Sequence, residues 1–308
     1  MNINKQKEII ENVLKESNIV TNDGELIEIH DDIINQISSK IIKTTAEKTV
    51  EENEAVKKGI QIRKDISEFE QMIKEYFGNF YFNFYNNIPK DLDDQFKFRF
   101  IFLCTYLKYG DDRLMIKQEN GLYRFIKENE LMELLKLSER EYMRTKKELI
   151  NKKLIFIEKE NKSIHINENI SIMGNIQKGN DKNYTKVFKN SIRELYNESK
   201  PREHKKLSML IKLMPYVHFQ YNIICKNPTC EFMEDIRPLT KKEIMVKIFD
   251  EKNVTSFKKK ILGIKCNNKK ITMLFEDFDK IMIAINPSVF YRGTRKEALN
   301  YLIGLFEI

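Results

Sequence analysis

The stretch Gly121–Ile166 constrains the fold of this chain more than any other, because its hydrophobic period changes twice within it. A short β-prone piece, Leu122–Ile126, comes first. Leu131, Met132, Leu134 and Leu135 then mark an apolar helix face over Glu128–Leu135. Lys136-Leu137-Ser138 interrupts it. Ser138 has N-cap chemistry, and Glu141 three residues on completes the pattern of a capping box, which predicts a second helix from Glu139 to Lys152. Met143, Leu149 and Ile150 are its expected inward side chains. Leu154–Ile157 and Ile164–Ile166 follow as two predicted strands around the polar turn Glu158–Lys162.

Helix, tight turn, helix and hairpin, in that order, predict a winged helix-turn-helix whose second helix enters the major groove of DNA. On that helix Arg140, Arg144 and Lys147 fall at i, i+4 and i+7, one basic stripe. Phosphate and guanine contacts require such a stripe. A stripe of this kind is also what any solvated helix face offers; the turn before it and the wing after it favour DNA. Lys159 and Lys162 on the wing are expected at phosphates or the minor groove.

Charge supports a polyanion partner for most of the chain. Residues 1–95 hold 12 Lys and Arg against 19 Asp and Glu, a net of −7, whereas the rest holds 42 against 27, a net of +15. Hydrophobic content of 41% suffices for real cores, so a disordered chain is excluded. The N-terminus lacks the apolar core of a signal peptide, and no run of about 18 apolar residues predicts a membrane span. The four cysteines form no dense framework, which makes a reducing cytoplasm the expected compartment, with the protein associated with nucleoid or plasmid. Heavy use of Lys, Ile and Asn suggests an AT-rich bacterial or phage genome.

The acidic first third reads as helical. Ile9, Ile10, Val13 and Leu14 predict an amphipathic helix over residues 1–20, Asn22-Asp23-Gly24 a turn, and Asp31 to Phe77 a proline-free helix. Ile34, Ile37 and Ile41 begin a seam that Thr44, Thr45, Lys48 and Glu52 do not continue, so a sustained coiled coil is not expected. Because its charge opposes a polyanion, a chain begun near Asp91 is expected to keep the DNA contacts. Tyr76–Tyr85 is unusually aromatic; core or interface is the ordinary reading, stacking on single-stranded bases the alternative. Asp91, Asp93 and Asp94 precede the apolar helix Phe96–Tyr109, in which Cys104 is expected as a small buried hydrophobe.

After the linker-like Met173–Tyr184, the same grammar returns about 110 residues on. His204–Val217 is a helix whose Pro215 must sit in its last turn or bend it, and Tyr221–Cys225 a short strand. Thr240 and Glu243 form a capping box for a helix over Lys241–Phe249. Asp250–Asn253 is the turn and Val254–Leu262 the second helix, with Phe257 and Ile261 inward beside Lys258, Lys259 and Lys260. Ile271–Phe275 and Lys280–Ile285 form a second wing, with Lys269 and Lys270 expected to touch DNA from it. A final helix spans Arg295 to Phe306. The fold class is therefore mainly α (α+β): a helical region at 1–95 and tandem winged helix-turn-helix domains at 96–175 and 185–308.

Two tandem winged helices in a basic, Lys/Asn-rich chain resemble the plasmid and phage replication initiators of the two-winged-helix type. Ile224-Cys225-Lys226-Asn227-Pro228, Pro238-Leu239-Thr240-Lys241-Lys242-Glu243-Ile244 and Ile285-Asn286-Pro287-Ser288-Val289-Phe290-Tyr291-Arg292-Gly293 are similar to stretches of RepL-type replication proteins, a likeness covering about residues 200–295. The resemblance implies binding to repeated origin sites and recruitment of host replication proteins, or repression of the chain's own promoter. A homodimer is one arrangement open to such a protein.

Catalytic chemistry is not legible. No G-x-x-x-x-G-K-[ST] loop occurs, and His30, His165, His204 and His218 are scattered, so neither ATP-driven unwinding nor a metal-dependent nickase is expected. Asp111-Asp112 reads as a turn. Cys225 and Cys230, with His218 and Cys266, offer zinc-type donors, but Cys225 falls in a β-prone strand and isolated thiols are the reading taken. The expected partner is double-stranded DNA, with no cofactor, no metal and no membrane. A winged-helix scaffold for protein binding is the rival from another class.

Overall fold

A computed structural model of the protein describes residues 12, 19–20, 26–27, 31–174, 184–251, 255–266, 268–277 and 280–307. Contacts divide the chain into two units, Met1–Glu68 and Phe69–Ile308. Helix and sheet both contribute substantially, and no described helix is long and apolar enough to cross a membrane.

In the first unit, β1 (Ile19–Val20) pairs antiparallel with β2 (Leu26–Ile27). Ile19 and Val20 are thus strand rather than the end of a helix. The rest of the expected helix over 1–20, apart from Asn12, and the Asn22-Asp23-Gly24 turn lie outside the described residues. The long helix α1 runs over Asp31–Phe77. Val56, Ile60, Ile62 and Ile66 are exposed on it, and no buried seam runs along the described residues of its first unit.

The second unit takes the last turns of α1, where Phe69, Ile73 and Phe77 are buried at helical spacing. The aromatic run then enters β3 (Phe80–Asn83) and the turn beyond it. Phe80, Tyr81, Phe84 and Tyr85 are buried, and the Tyr81 hydroxyl donates to the Ile101 carbonyl at 2.9 Å. These rings are core, which corrects the stacking alternative. Helix α2 (Asp94–Cys104) is almost wholly buried, including Cys104, whose thiol burial pushes up to about 12. The expected β-prone piece at Leu122–Ile126 is β5 (Tyr123–Phe125), which forms a hairpin with a strand unseen in the apolar pattern, β4 (Met115–Lys117). After them come α3 (Leu131–Leu134), α4 (Glu139–Asn151), the hairpin β6 (Ile155–Ile157)–β7 (Ile164–Ile166), and β8 (Ser171–Ile172).

The second half contains β9 (Thr185–Phe188), α5 (Lys189–Glu198), α6 (His204–Leu207) and α7 (Met209–Leu213), the last ending in a tight turn at Pro215. Helix α8 (Lys241–Phe249) carries the expected capping box, with the Glu243 amide donating to Thr240 Oγ1 at 3.2 Å and the Thr240 amide to Glu243 at 3.0 Å. Where a second helix over Val254–Leu262 was expected, Lys258–Leu262 form a π-helical turn, and Val254 lies outside the described residues. The hairpins β10 (Lys265–Cys266)–β11 (Lys269–Lys270) and β12 (Thr272–Asp277)–β13 (Lys280–Ile285), then β14 (Phe290–Tyr291) and α9 (Lys296–Phe306), complete the chain.

One four-stranded antiparallel sheet, ordered β14-β9-β3-β8, binds the halves together. Its hydrogen bonds repeat. The Phe84 amide donates to the Ile170 carbonyl, and Phe188 to Val289. The Asn167 amide donates to Leu154, its side-chain Nδ2 to Lys153, and its Oδ1 accepts from Asn169; Asn286 makes the same three bonds with Ile271, Lys270 and Ser288. Ahead of each helix pair a short strand lies on the far strand of the following hairpin: Asp112–Leu114 on β7, Asn222–Ile224 on β13. Antiparallel pairing of the equivalent strands β3 and β9 relates the halves by a local two-fold.

Residues 69–95 therefore belong structurally with the remainder of the second unit. Burying one large apolar side chain stabilises by roughly 1.5–3 kcal/mol. Losing Phe69, Phe77, Phe80, Tyr81, Phe84 and Tyr85 together would rival a whole domain stability of about 5–15 kcal/mol. A chain beginning at Phe69 is expected to unfold cooperatively, and one beginning at Asp91 to lack a folded baseline, in chemical denaturation followed by circular dichroism. A cooperative transition from the Asp91 chain would show that β3 is dispensable.

Candidate nucleic-acid interface

Ser138 is the N-cap of helix α4, but its hydroxyl makes no capping bond. The capping box fails because Glu141 is claimed elsewhere. Its carboxylate accepts from Arg99 at 3.1 Å and from Arg144 at 3.0 Å. The inward stripe is Tyr142, Thr145 and Leu149. Met143 and Ile150, expected inside, are 50% and 39% exposed. They lie instead on the solvent face with Arg140, Arg144 and Lys147, all exposed. Among the described residues neither Arg140 nor Lys147 makes an ion pair. This corrects the packing assignment and leaves the basic stripe intact, now interleaved with two apolar side chains of the kind that contact thymine methyls.

Behind the stripe lies a cation that sequence reasoning missed. Arg99 of α2 is 1% exposed. It donates from Nη1 to Glu141 and, at 2.7 Å, to Thr145 Oγ1, and from Nε to His204 Nδ1 at 3.2 Å. It thereby pins α4 to α2 and to α6. For Nδ1 to accept, His204 must be neutral with its proton on Nε2. Burial pushes its pKa down to about 4, and the Arg99 charge acts in the same direction. Further bonds fix the helix from its other side: Tyr142 donates to the Glu128 carbonyl at 3.2 Å, and Lys146 pairs with the Glu128 carboxylate at 3.0 Å.

The β6–β7 hairpin carries Lys159 and Lys162 on its exposed turn. Glu158 organises that turn, accepting from Asn161 Nδ2 at 2.6 Å and Ser163 Oγ at 2.9 Å, with Lys162 in the left-handed region at φ 60°. These hydrogen bonds hold the Glu158 carboxyl below its usual range. His165 on β7 meets the Asp112 carboxylate at 3.0 Å and stacks on Phe156 at 4.5 Å. Asp111 makes a two-point contact with Arg113. The Asp111-Asp112 pair is thus a structural turn.

The second half brings its lysines together less well. Lys259 is exposed, but Lys260 is half-buried and ion-paired with Glu251, and the Lys258 side chain lies outside the described residues. Lys269 and Lys270 do not sit on the tip of the β12–β13 hairpin. They form β11 at its root, where Asn286 Nδ2 donates to the Lys270 carbonyl. Here Ile271, after Lys270, is bonded as Leu154 is in the first half, so both lysines stand ahead of the β12–β13 hairpin, in the β10–β11 hairpin, and their placement on the wing is corrected.

The zinc-type donors do not converge. His218 Nε2 meets the Cys230 carbonyl at 2.8 Å, and its Nδ1 accepts from the amides of Gln220 and Tyr221. Cys225 is buried, and Cys266 lies 3.3 Å from Glu194. Phe290 and Tyr291 form the edge strand β14 of the sheet, and a Cβ on Gly293 would stand 2.1 Å from the Tyr291 hydroxyl oxygen. Comparison with known proteins finds no matching family model, no matching curated protein and no matching solved structure.

Two buried histidines give the protein an acid limit. His204 and His218 both have pKa values pushed down to about 4, chiefly by burial. In the unfolded chain they take up a proton near 6.5. The unfolded state therefore binds more protons between pH 6.5 and 4; the stabilisation is complete above about 6.5 and is lost as pH falls toward 4, by on the order of 3 kcal/mol per site. Denaturation midpoints across that range are expected to fall, and to fall less in His204→Gln. Arg99→Met is expected to cost about 1–3 kcal/mol at neutral pH, because Thr145 and His204 lose their donor while Glu141 keeps Arg144. An unchanged midpoint would show that Arg99 holds nothing in place.

Proposed function

We propose that the chain binds double-stranded DNA in a sequence-selective way, with α3, α4 and the β6–β7 hairpin acting as a winged helix-turn-helix and α4 as its major-groove helix. The observation that carries this reading is the solvent face of α4: Arg140, Met143, Arg144, Lys147 and Ile150, on a helix anchored from behind by Arg99. Guanidinium groups can donate two parallel hydrogen bonds to guanine O6 and N7, and lysines position the backbone. Lys159 and Lys162 would touch phosphate or the minor groove from the wing. The second half would act as a second winged helix contributing mainly phosphate contacts through Lys258 and Lys259, since Lys260 is engaged by Glu251.

The role that fits such a chain is replication initiation on a plasmid or phage, with host replication proteins as further partners; transcriptional repression is the alternative. Protection of repeated sites beside an AT-rich tract would favour initiation, and of one palindrome over a promoter, repression. Of the RepL-like stretches, Pro238–Ile244 caps and opens α8 and Ile285–Gly293 contains the edge strand β14, so the likeness supports architecture more than a DNA contact.

Selection from a randomised duplex pool would supply a cognate site. On it, Arg140→Ala or Arg144→Ala is expected to cost about 1–3 kcal/mol and to relax selectivity at one position. Lys259→Ala is expected to weaken binding to cognate and scrambled duplexes alike. Arginine variants that keep the full cognate-to-scrambled ratio while the lysine variant loses it would reverse the assignment of the two halves.

A further inference from the structure

A cavity of about 400 Å³ opens between the first turns of α5, the turn after α2 and the β4–β5 hairpin. Its charge is one-sided. Lys108, Lys117, Lys189 and Arg193 line it, and among the described residues no carboxylate does. Lys189 and Arg193 are only partly exposed, yet among the described residues they donate only to neutral groups: Lys189 to the Leu107 carbonyl, Arg193 to Thr105 Oγ1 at 3.0 Å and to the Thr105 carbonyl at 2.8 Å. Charges withdrawn from water are ordinarily paired with opposite charge. Here burial pushes the Lys189 ammonium down to about 8, and the neighbouring Arg193 charge acts in the same sense. Both residues sit in the first half of a ten-residue helix, at the end where the backbone dipole already disfavours cations. The site is electrostatically incomplete without an anion.

Two rings shape what that anion carries. Arg193 lies over the Tyr106 ring and Lys108 over the Tyr123 ring, each 4.4 Å from the centroid. Tyr123 is 49% exposed and pairs across the hairpin with Lys117. A planar base can stack on such a ring while phosphates meet the cations. The volume lies within the range of about 300–1,000 Å³ usual for small-molecule sites. We propose that this cavity binds a nucleotide, its phosphates held by Lys117, Lys189 and Arg193 and its base stacked on Tyr123. The proposal is independent of the duplex-binding reading, which uses none of these residues.

The test is calorimetric titration of the full chain with ATP and, separately, with inorganic tripolyphosphate. ATP is expected to bind, with affinity about ten-fold or more weaker in Arg193→Met and several-fold weaker in Lys117→Ala. Tyr123→Ala is expected to weaken ATP about ten-fold and to leave tripolyphosphate unchanged, as removal of one stacking platform requires. Lys117 and Tyr123 are exposed, so their variants carry the test even where Arg193→Met fails to fold. Absence of ATP binding at millimolar concentration, or binding that survives Lys117→Ala and Tyr123→Ala undiminished, overturns the proposal. Tripolyphosphate binding as tightly as ATP, with ATP affinity indifferent to Tyr123→Ala, overturns it too, leaving a bare anion site. Unchanged duplex binding by Lys117→Ala would separate this cavity from the α4 surface.

Discussion

The antiparallel pairing of β3 with β9 is the constraint on which the rest of the second unit depends. Phe80 faces Phe188 and Asn83 faces Thr185, and on the outer edges β8 and β14 close each half against its own first strand. Each half thus begins and ends in the same sheet, and the helices and hairpin between those strands are held at both ends. The aromatic run earns its burial here: Phe80 packs edge-on to Phe188 at 5.9 Å, and Phe77 lies 5.1 Å from the same ring. Such pairs add about 0.5–1.5 kcal/mol each beyond the area they bury.

From that frame, positioning passes to α4 through one buried cation. Arg99 sits on the helix behind, and its partners come from α4 and α6. A buried guanidinium costs heavily unless it is paired and hydrogen-bonded, and Glu141, Thr145 and His204 all bond to this one, so the network tolerates few arrangements of α4. On the proposed reading that rigidity would serve base recognition, because hydrogen bonds to base edges are worth their full value only when the helix carrying them is preorganised. Glu141 is shared between Arg99 inside and Arg144 outside, and so couples the anchor to one member of the basic stripe.

Much of this was legible in the sequence. The predicted helix at 139–152, the strands at 154–157 and 164–166, the Thr240 capping box and the final helix all lie within a residue or two of their places. These depend on local period and end chemistry. What was not legible depends on partners far away in the chain. The residue Arg99, in a run of phenylalanines, reads as a surface charge until Glu141 and His204, 42 and 105 residues off, are seen to meet it. Met143 and Leu149 suggest one inward face, Tyr142 and Leu149 another, and only the position of the core decides. The strand β4 is too short and too polar to announce itself, although its partner β5 falls within the β-prone Leu122–Ile126. One signal was available: Ile166-Asn167-x-Asn169-Ile170 and Ile285-Asn286-x-Ser288-Val289 share a pattern, and the two asparagines make the same turn.

The central claim is that the exposed cations of α4 and the wing engage the DNA backbone and grooves. Affinity of the full chain for duplex DNA, measured against monovalent salt, tests this most directly. With about three to five phosphates contacted, log K is expected to fall linearly with log salt at a slope near −0.9 per contact, or on the order of a hundred-fold between about 50 and 200 mM. Absence of duplex binding at low salt, or an affinity indifferent to salt, would contradict it and leave the basic face of α4 as solvated surface.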